Sequence, residues 1–273
     1  SSRTAAVAAL VLLAGLAVLS GGLAAALGQA PPPPPIDPHL PDQLKELKAL
    51  VADSKMQNDF QAIGLIEKLS QGVEGRNPKD AERLAKAFGD VFRTGKNRPP
   101  EKDQLYRSAA DALAAFGDDG GKELAKAVND KRHDDNLPLR GHLLVALGRS
   151  KAEKHVDVLL ETAVRSPHDE LRAAAGEGLG HHTALELKQR REIVKTMIRA
   201  WGSLHSVATT PDPTDPNAPI DSAPQDARRT SRAIEGKWST TLQKLTGVSH
   251  TKFLDWQHLL NKNPNWVGPG DRK

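Results

Sequence analysis

Arg172-Ala-Ala-Ala-Gly-Glu-Gly-Leu-Gly180 is the stretch on which the fold turns. With Leu171 ahead of it, Ala174, Ala175, Gly178 and Leu179 fall at three- and four-residue intervals, the spacing of one helix face built from small side chains. The closing apolar-Gly step recurs at Phe116-Gly117 and Leu147-Gly148, and each step is followed by a second, polar-starting amphipathic stretch. A period of about 30 residues is close to that of helical arrays, in which no unit buries its apolar face alone and neighbours must stack. The expectation is an all-α chain: an α-solenoid of antiparallel helix pairs, preceded by an N-terminal apolar helix.

The pattern extends in both directions. Ala109, Leu113 and Phe116 line one helix, Leu124 and Val128 the next, and Leu139, Leu143, Leu144 and Leu147 a third. Val156, Leu159, Leu160 and Ala163 precede the opening stretch; Ile193, Val194, Met197, Ile198 and Trp201 follow it. Upstream, Leu44, Leu47, Leu50 and Val51, then Phe60, Ile63, Ile66 and Leu69, give two more amphipathic helices. Asn77-Pro78-Lys79-Asp80 supplies a side-chain cap, a proline in the first turn and an acid at the positive helix end. Ser150 to Glu153 and Ser166 to Asp169 have capping-box spacing, and Gly117, Gly148 and Gly180 stand where a left-handed helix stop is expected.

The segmentation follows from composition. Residues 1–30 form an export segment: Ala5 to Leu27 is an unbroken run of apolar or small residues after Arg3, ending in small-residue patterns that a signal peptidase could accept. Its length suits either a cleaved signal peptide or a retained single-span anchor, and places the protein in an exported, periplasmic or extracytoplasmic setting. Residues 31–41 are a proline-rich linker opening with Pro31 to Pro35, a stiff spacer. Helical repeats occupy 42–207 and a Pro/Asp-rich loop 208–226. Capping helices fill 227–260, carrying Ile234, Trp238, Leu242 and Leu245, and residues 261–273 are expected to be a flexible tail.

Aromatics make up only 4% of the chain, which favours close helix-on-helix packing over sheet. The net charge of +4 is spread over mixed faces rather than gathered in a block, so nucleic acid is not expected as a partner. With no cysteine, disulfides, thiolate metal sites and a cysteine nucleophile are excluded.

Arg140-Gly-His-Leu-Leu-Val-Ala-Leu-Gly148 and Arg172 to Gly180 resemble the Arg-x-x-Ala-x-x-Ala-Leu-Gly helix of HEAT repeats, in the short bacterial form also found in phycobilin lyases. Leu242-Gln-Lys-Leu-Thr-Gly247, with Trp256 and Trp266, is similar to the closing segment of exported planctomycete-type HEAT-repeat proteins, with Gln257 in place of a second tryptophan. The resemblance implies an α-solenoid acting as a protein-binding scaffold. Two other classes stay open, a helical repeat gripping the nucleic-acid backbone and a bilin-lyase-like enzyme.

No residue set for chemistry emerges. His181-His182 are neighbours that diverge on a helix and lack a third ligand, and His133-Asp134-Asp135 is too short an acidic cluster for a hard cation. Gly176 to Gly180 lacks the strand that a phosphate-binding glycine loop requires. The chain is therefore expected to be no enzyme and to hold no cofactor or metal. A protein or peptide partner would meet exposed residues of the second helices, for which Lys122, Lys126, Lys154, Asp157 and Glu161 are the candidates. Arg140 and Arg172, at equal offsets from their Leu-Gly steps, are expected to pair with acids of the next unit.

Overall fold

The computed structural model describes residues 32–211 and 221–268. Everything that follows concerns the unit from Pro34 onward. The export segment, the centre of the Pro/Asp-rich loop and the last five residues lie outside the described residues. Among the described residues the protein is all-helical, with eleven α-helices and no strand. They are α1 (Leu40–Val51), α2 (Asp59–Ser70), α3 (Pro78–Val91), α4 (Gln104–Leu113), α5 (Gly117–Val128), α6 (Leu137–Arg149), α7 (Val156–Arg165), α8 (Asp169–Leu179), α9 (Leu187–Ala208), α10 (Ala223–Thr246) and α11 (Phe253–Lys262).

Two series of contacts run through these helices. The even-numbered helices pack in sequence, α2 on α4, α4 on α6, α6 on α8 and α8 on α10. Among the odd-numbered ones, α1 packs on α3 and α3 on α5; α5 meets the 3-10 turn Glu153–His155 ahead of α7, and α7 packs on α9 and α9 on α11. From α1 to α8 and again at α9 and α10, consecutive helices pair across the two series, and one continuous apolar core from Leu40 to Trp266 lies between them. α10 is a full member of the even series, packed on both α8 and α9, rather than a terminal cap.

The small residues of α6 and α8 set how closely this series can pack. A β-carbon on Gly148 would stand 2.2 Å from the carbonyl oxygen of Gly178 and 2.4 Å from its Cα, so the two backbones touch. On the other side of α8, a β-carbon on Gly176 would meet the Trp238 ring at 2.2 Å. That ring is fully buried, and its Nε1 donates to the Arg172 carbonyl at 3.1 Å while Thr241 Oγ1 donates to the Gly176 carbonyl at 2.7 Å. Gly148 lies inside α6 and Gly180 has φ −66°, so neither is a left-handed stop as the sequence suggested. Gly117 is left-handed, with φ +53°, but it opens α5, while α4 has already ended at Leu113 with Ala114 as its cap; the left-handed stop is Gly247, with φ +74°, which ends α10.

The expected cap at Asn77 is present: its Oδ1 accepts from the Lys79 amide at 3.0 Å at the start of α3. The same terminus holds the incoming chain, since Asn77 Nδ2 donates to the Pro34 carbonyl and buried Asp80 accepts from the Asp37 amide at 2.8 Å. The two capping boxes do not form. Ser150 Oγ donates back to the Leu147 carbonyl, and α7 starts only at Val156. Ser166 Oγ accepts from the His168 amide, leaving the Asp169 carboxylate to reach Thr230 and Arg229 of α10. Phe60 is 85% exposed, because α2 buries Ala62, Ile66 and Leu69 instead. The chain after α11 is packed as far as Trp266, which is buried.

Replacing Gly178 or Gly148 by alanine overpacks a backbone contact and is expected to destabilise the protein by about 1–3 kcal/mol. Gly64→Ala, in α2 with open space around it, is expected to stabilise by about 0.5–1 kcal/mol through helix propensity. Urea unfolding midpoints of the three variants check both signs.

Candidate functional site

The first place to look for chemistry is where polar groups are buried together. Around the chain entering α4, the guanidinium of Arg98 is wholly buried, gripped by both carboxylate oxygens of Asp59 at 2.6 and 2.7 Å and donating to the Val51 carbonyl. It stands 5.4 Å over the Tyr106 ring, which also packs against Phe92 and buried His133. These contacts tie the end of α1 and the start of α2 to α4. Asp103, near them, binds Arg107 and accepts from Asn136 Nδ2, while Asn136 Oδ1 caps α6 through the Leu139 amide.

Asp111 of α4 lies 3.1 Å from His142 Nε2 and 2.9 Å from Arg149 Nη1, both on α6. Burial raises its carboxyl pKa, but the His142 and Arg149 contacts outweigh this and hold it below the usual carboxylate range. An Asp–His pair could serve a nucleophile, yet no hydroxyl is hydrogen-bonded to His142 among the described residues; the group links α4 to α6. Arg140 and Arg172 do not pair with acids of the next unit. Arg140 meets Asp134 in the turn before its own helix at 3.4 Å, and Arg172 donates to the Ala163 and Val164 carbonyls at the end of α7. The short helices leave their last carbonyls open, and a nearby arginine satisfies them.

The histidines the sequence singled out are structural. His133 packs edge-on against Phe92 and Tyr106, and burial pushes its pKa below the usual value. His182 is 3% exposed, and burial, with a smaller contribution from His181, lowers its pKa to about 4. No group of three or more metal-ligating side chains comes together among the described residues.

Surface grooves are the remaining candidates, and the two with the most basic rims lie on the odd-numbered series. α1 packs more loosely on α3 than α3 does on α5, where Gly89 lets buried Glu123 approach until a β-carbon would clash at 2.6 Å. The result is a groove of about 380 Å³ between α1 and α3, floored by Leu44, Ala87 and Val91 and rimmed by Lys45, Lys48, Arg83 and Lys86. At the other end, α9 and α11 enclose a groove of about 480 Å³. Its α9 wall carries Lys188, Arg191, Lys195 and Arg199, with Glu192 as the acid, and its α11 wall carries Gln257 and Asn261. Arg191 is fixed by donating to the Trp266 and Asn265 carbonyls. Lys188, Lys195 and Arg199 are exposed and make no ion pair among the described residues.

The residues singled out by sequence lie on the same series, between these grooves and in neither. Lys122 and Lys126 share a face of α5, and Lys126 Nζ is 2.6 Å from Glu123 Oε1. Lys154 reaches Asp118 of α5 at 3.5 Å, Glu161 of α7 meets Arg165 at 3.5 Å, and Asp157 is exposed one turn before Glu161. The α9 stripe was legible, since 188, 191, 195 and 199 repeat at three- and four-residue steps opposite the apolar face. Its facing wall was not, because only packing brings α11 beside it. No family model matches the chain, and neither a curated protein nor a solved structure is similar to it.

As pH falls below 6.5, the unfolded chain takes up protons at His133 and His182 that the native protein refuses. Native stability is therefore full above that pH and declines on the way down to about 4. Asp111 and Asp169, held low in the native state, stabilise it above about pH 4, and that contribution is lost as pH falls below it. His182→Gln is expected to reduce the fall in urea midpoint between pH 7 and pH 5 while leaving the steeper loss below pH 4, as followed by circular dichroism.

Proposed function

We propose that the chain is a HEAT-type α-solenoid that serves as a non-enzymatic scaffold, binding another protein through its odd-numbered helices. The alternating helix contacts and the Leu-Gly steps at Leu147-Gly148 and Leu179-Gly180 support the repeat reading. The observation that carries the binding reading is the placement of unpaired cations. Lys45, Lys48, Lys86, Lys188, Lys195 and Arg199 line the two grooves and make no ion pair among the described residues. Other cations of both series are engaged, Arg149 with Asp111 and Arg229 with Asp169 on the even helices, and Arg93 and Lys126 with Glu123 on the odd ones.

Ala5 to Leu27 and the prolines after it support an exported, periplasmic or extracytoplasmic setting, with the apolar run either removed or kept as a membrane tether. Among the described residues no helix is long and apolar enough to cross a membrane. Cations at Lys122, Lys126 and Lys154 would extend the contact area between the grooves, with Asp157 and Glu161 adding acidic points.

Crosslinking the native protein through its amines in its own membrane and extracytoplasmic fractions, followed by peptide mapping, tests this reading. Crosslinks to a discrete protein are expected at Lys45, Lys48, Lys122, Lys126, Lys188 or Lys195. Crosslinks confined to Lys68, Lys237 and Lys244 of the even helices, or salt-sensitive retention of duplex DNA in place of any protein, would overturn it.

A further inference from the structure

We infer that the groove between α9 and α11 receives an extended acidic segment of a partner protein, with carboxylates at alternate residues running along α9. This rests on the scaffold reading and gives it a site. Lys188, Arg191, Lys195 and Arg199 form one stripe, with steps of three, four and four residues. At 1.5 Å per residue these steps are about 4.5, 6 and 6 Å along the axis. Alternate residues of an extended chain are about 6.6–7 Å apart on one side, so successive carboxylates would each meet a cation.

The opposite wall suits a peptide backbone. Gln257 and Asn261 lie one turn apart on α11, and Gln257 Nε2 donates to Asn261 Oδ1 at 3.1 Å. That bond fixes both amides and leaves the Gln257 carbonyl to accept and the Asn261 amide group to donate. Ile198 and half-buried Leu260 make the floor. Arg191, pinned by the carbonyls of Asn265 and Trp266, holds its charge in place within the stripe, between Lys188 and Lys195.

Two other anionic partners fit less well. Single-stranded nucleic acid needs exposed aromatic faces on which bases stack, and Trp266, the aromatic of this groove, is 7% exposed. A lipid surface is met by a protruding basic face, whereas these cations flank a cleft. The α1–α3 groove has a comparable cationic rim but no amide wall to bind a backbone.

The test is fluorescence anisotropy of the full chain with a labelled peptide in which aspartate alternates with serine, at low and physiological salt. Binding is expected, with no binding of the same peptide carrying asparagine for aspartate. Lys195→Glu with Arg199→Glu, both exposed, should weaken binding at least about tenfold with the circular dichroism spectrum unchanged. Lys68→Glu with Lys244→Glu, on the even helices, should leave it as it was. Absence of binding, equal binding by the α9 double variant, or tighter binding of labelled oligothymidine would each overturn the inference. If amine crosslinks to a partner on the odd helices persist in that double variant, the scaffold reading stands and the groove assignment alone falls.

Discussion

The backbone contact between Gly148 of α6 and Gly178 of α8 is the constraint from which the centre of the molecule follows. With no β-carbon on either residue, the helices approach until Gly178 lies against the Leu144 carbonyl as well. α8 is thereby sunk between α6 and α10, and its far side, bare at Gly176, receives the pyrrole edge of buried Trp238. One residue of side chain at either position would push the even series apart. The Trp238 Nε1 bond to the Arg172 carbonyl and the Thr241 bond to the Gly176 carbonyl exist because the approach is so close. Small residues here act as geometry rather than as hinges, which is why Gly176-Glu-Gly178-Leu-Gly180 is rigidly helical to Leu179.

Ion pairs join neighbouring elements in both helix series, Arg93 with Glu123 and Lys154 with Asp118 among the odd-numbered ones. Between even-numbered helices, acids and bases join neighbours: Asp111 holds His142 and Arg149, and Asp169 holds Thr230 and Arg229. Near the turns, arginines satisfy backbone as well as acids: Arg98 bonds the Val51 carbonyl and Arg132 those of Arg93 and Gly95. The Arg98–Asp59 pair, with its guanidinium wholly buried, holds geometry more than it adds net stability, since desolvation offsets much of the attraction, and the exposed pairs add little. Lys188, Lys195 and Arg199 of the α9–α11 groove stay exposed to water, which screens their charge.

Helix positions were legible because each buried face repeats at the helical period, as in Ile193, Val194, Met197, Ile198 and Trp201, all buried in α9. Local signals failed where tertiary partners competed for the same atoms. Asp169 had the spacing of a capping acid but found Thr230 and Arg229, and Ser150 turned back to Leu147 instead of capping α7. Phe60 matched an apolar repeat, yet the face of α2 that meets its neighbours is centred on Ala62 and Ile66, and no sequence rule separates two faces so close in phase. Of the candidate site, one wall could be read from the spacing along α9. The other depended on which helix follows the long break after Ala208 and how it returns.

The closing segment explains why that second wall exists. α11 and Trp266 cover α9, with Trp256 wholly buried beneath. Covering α9 with a short helix and an extended strip leaves a furrow along their edge, because α11 has ten residues against the twenty-two of α9. Arg191 bonds the strip's carbonyls, which fixes the strip and the stripe relative to each other. The element that completes the core therefore also makes the cleft, so its shape is set by the stability of the terminus. A partner that inserts there meets walls already held in place and loses less entropy on binding than it would against a mobile loop.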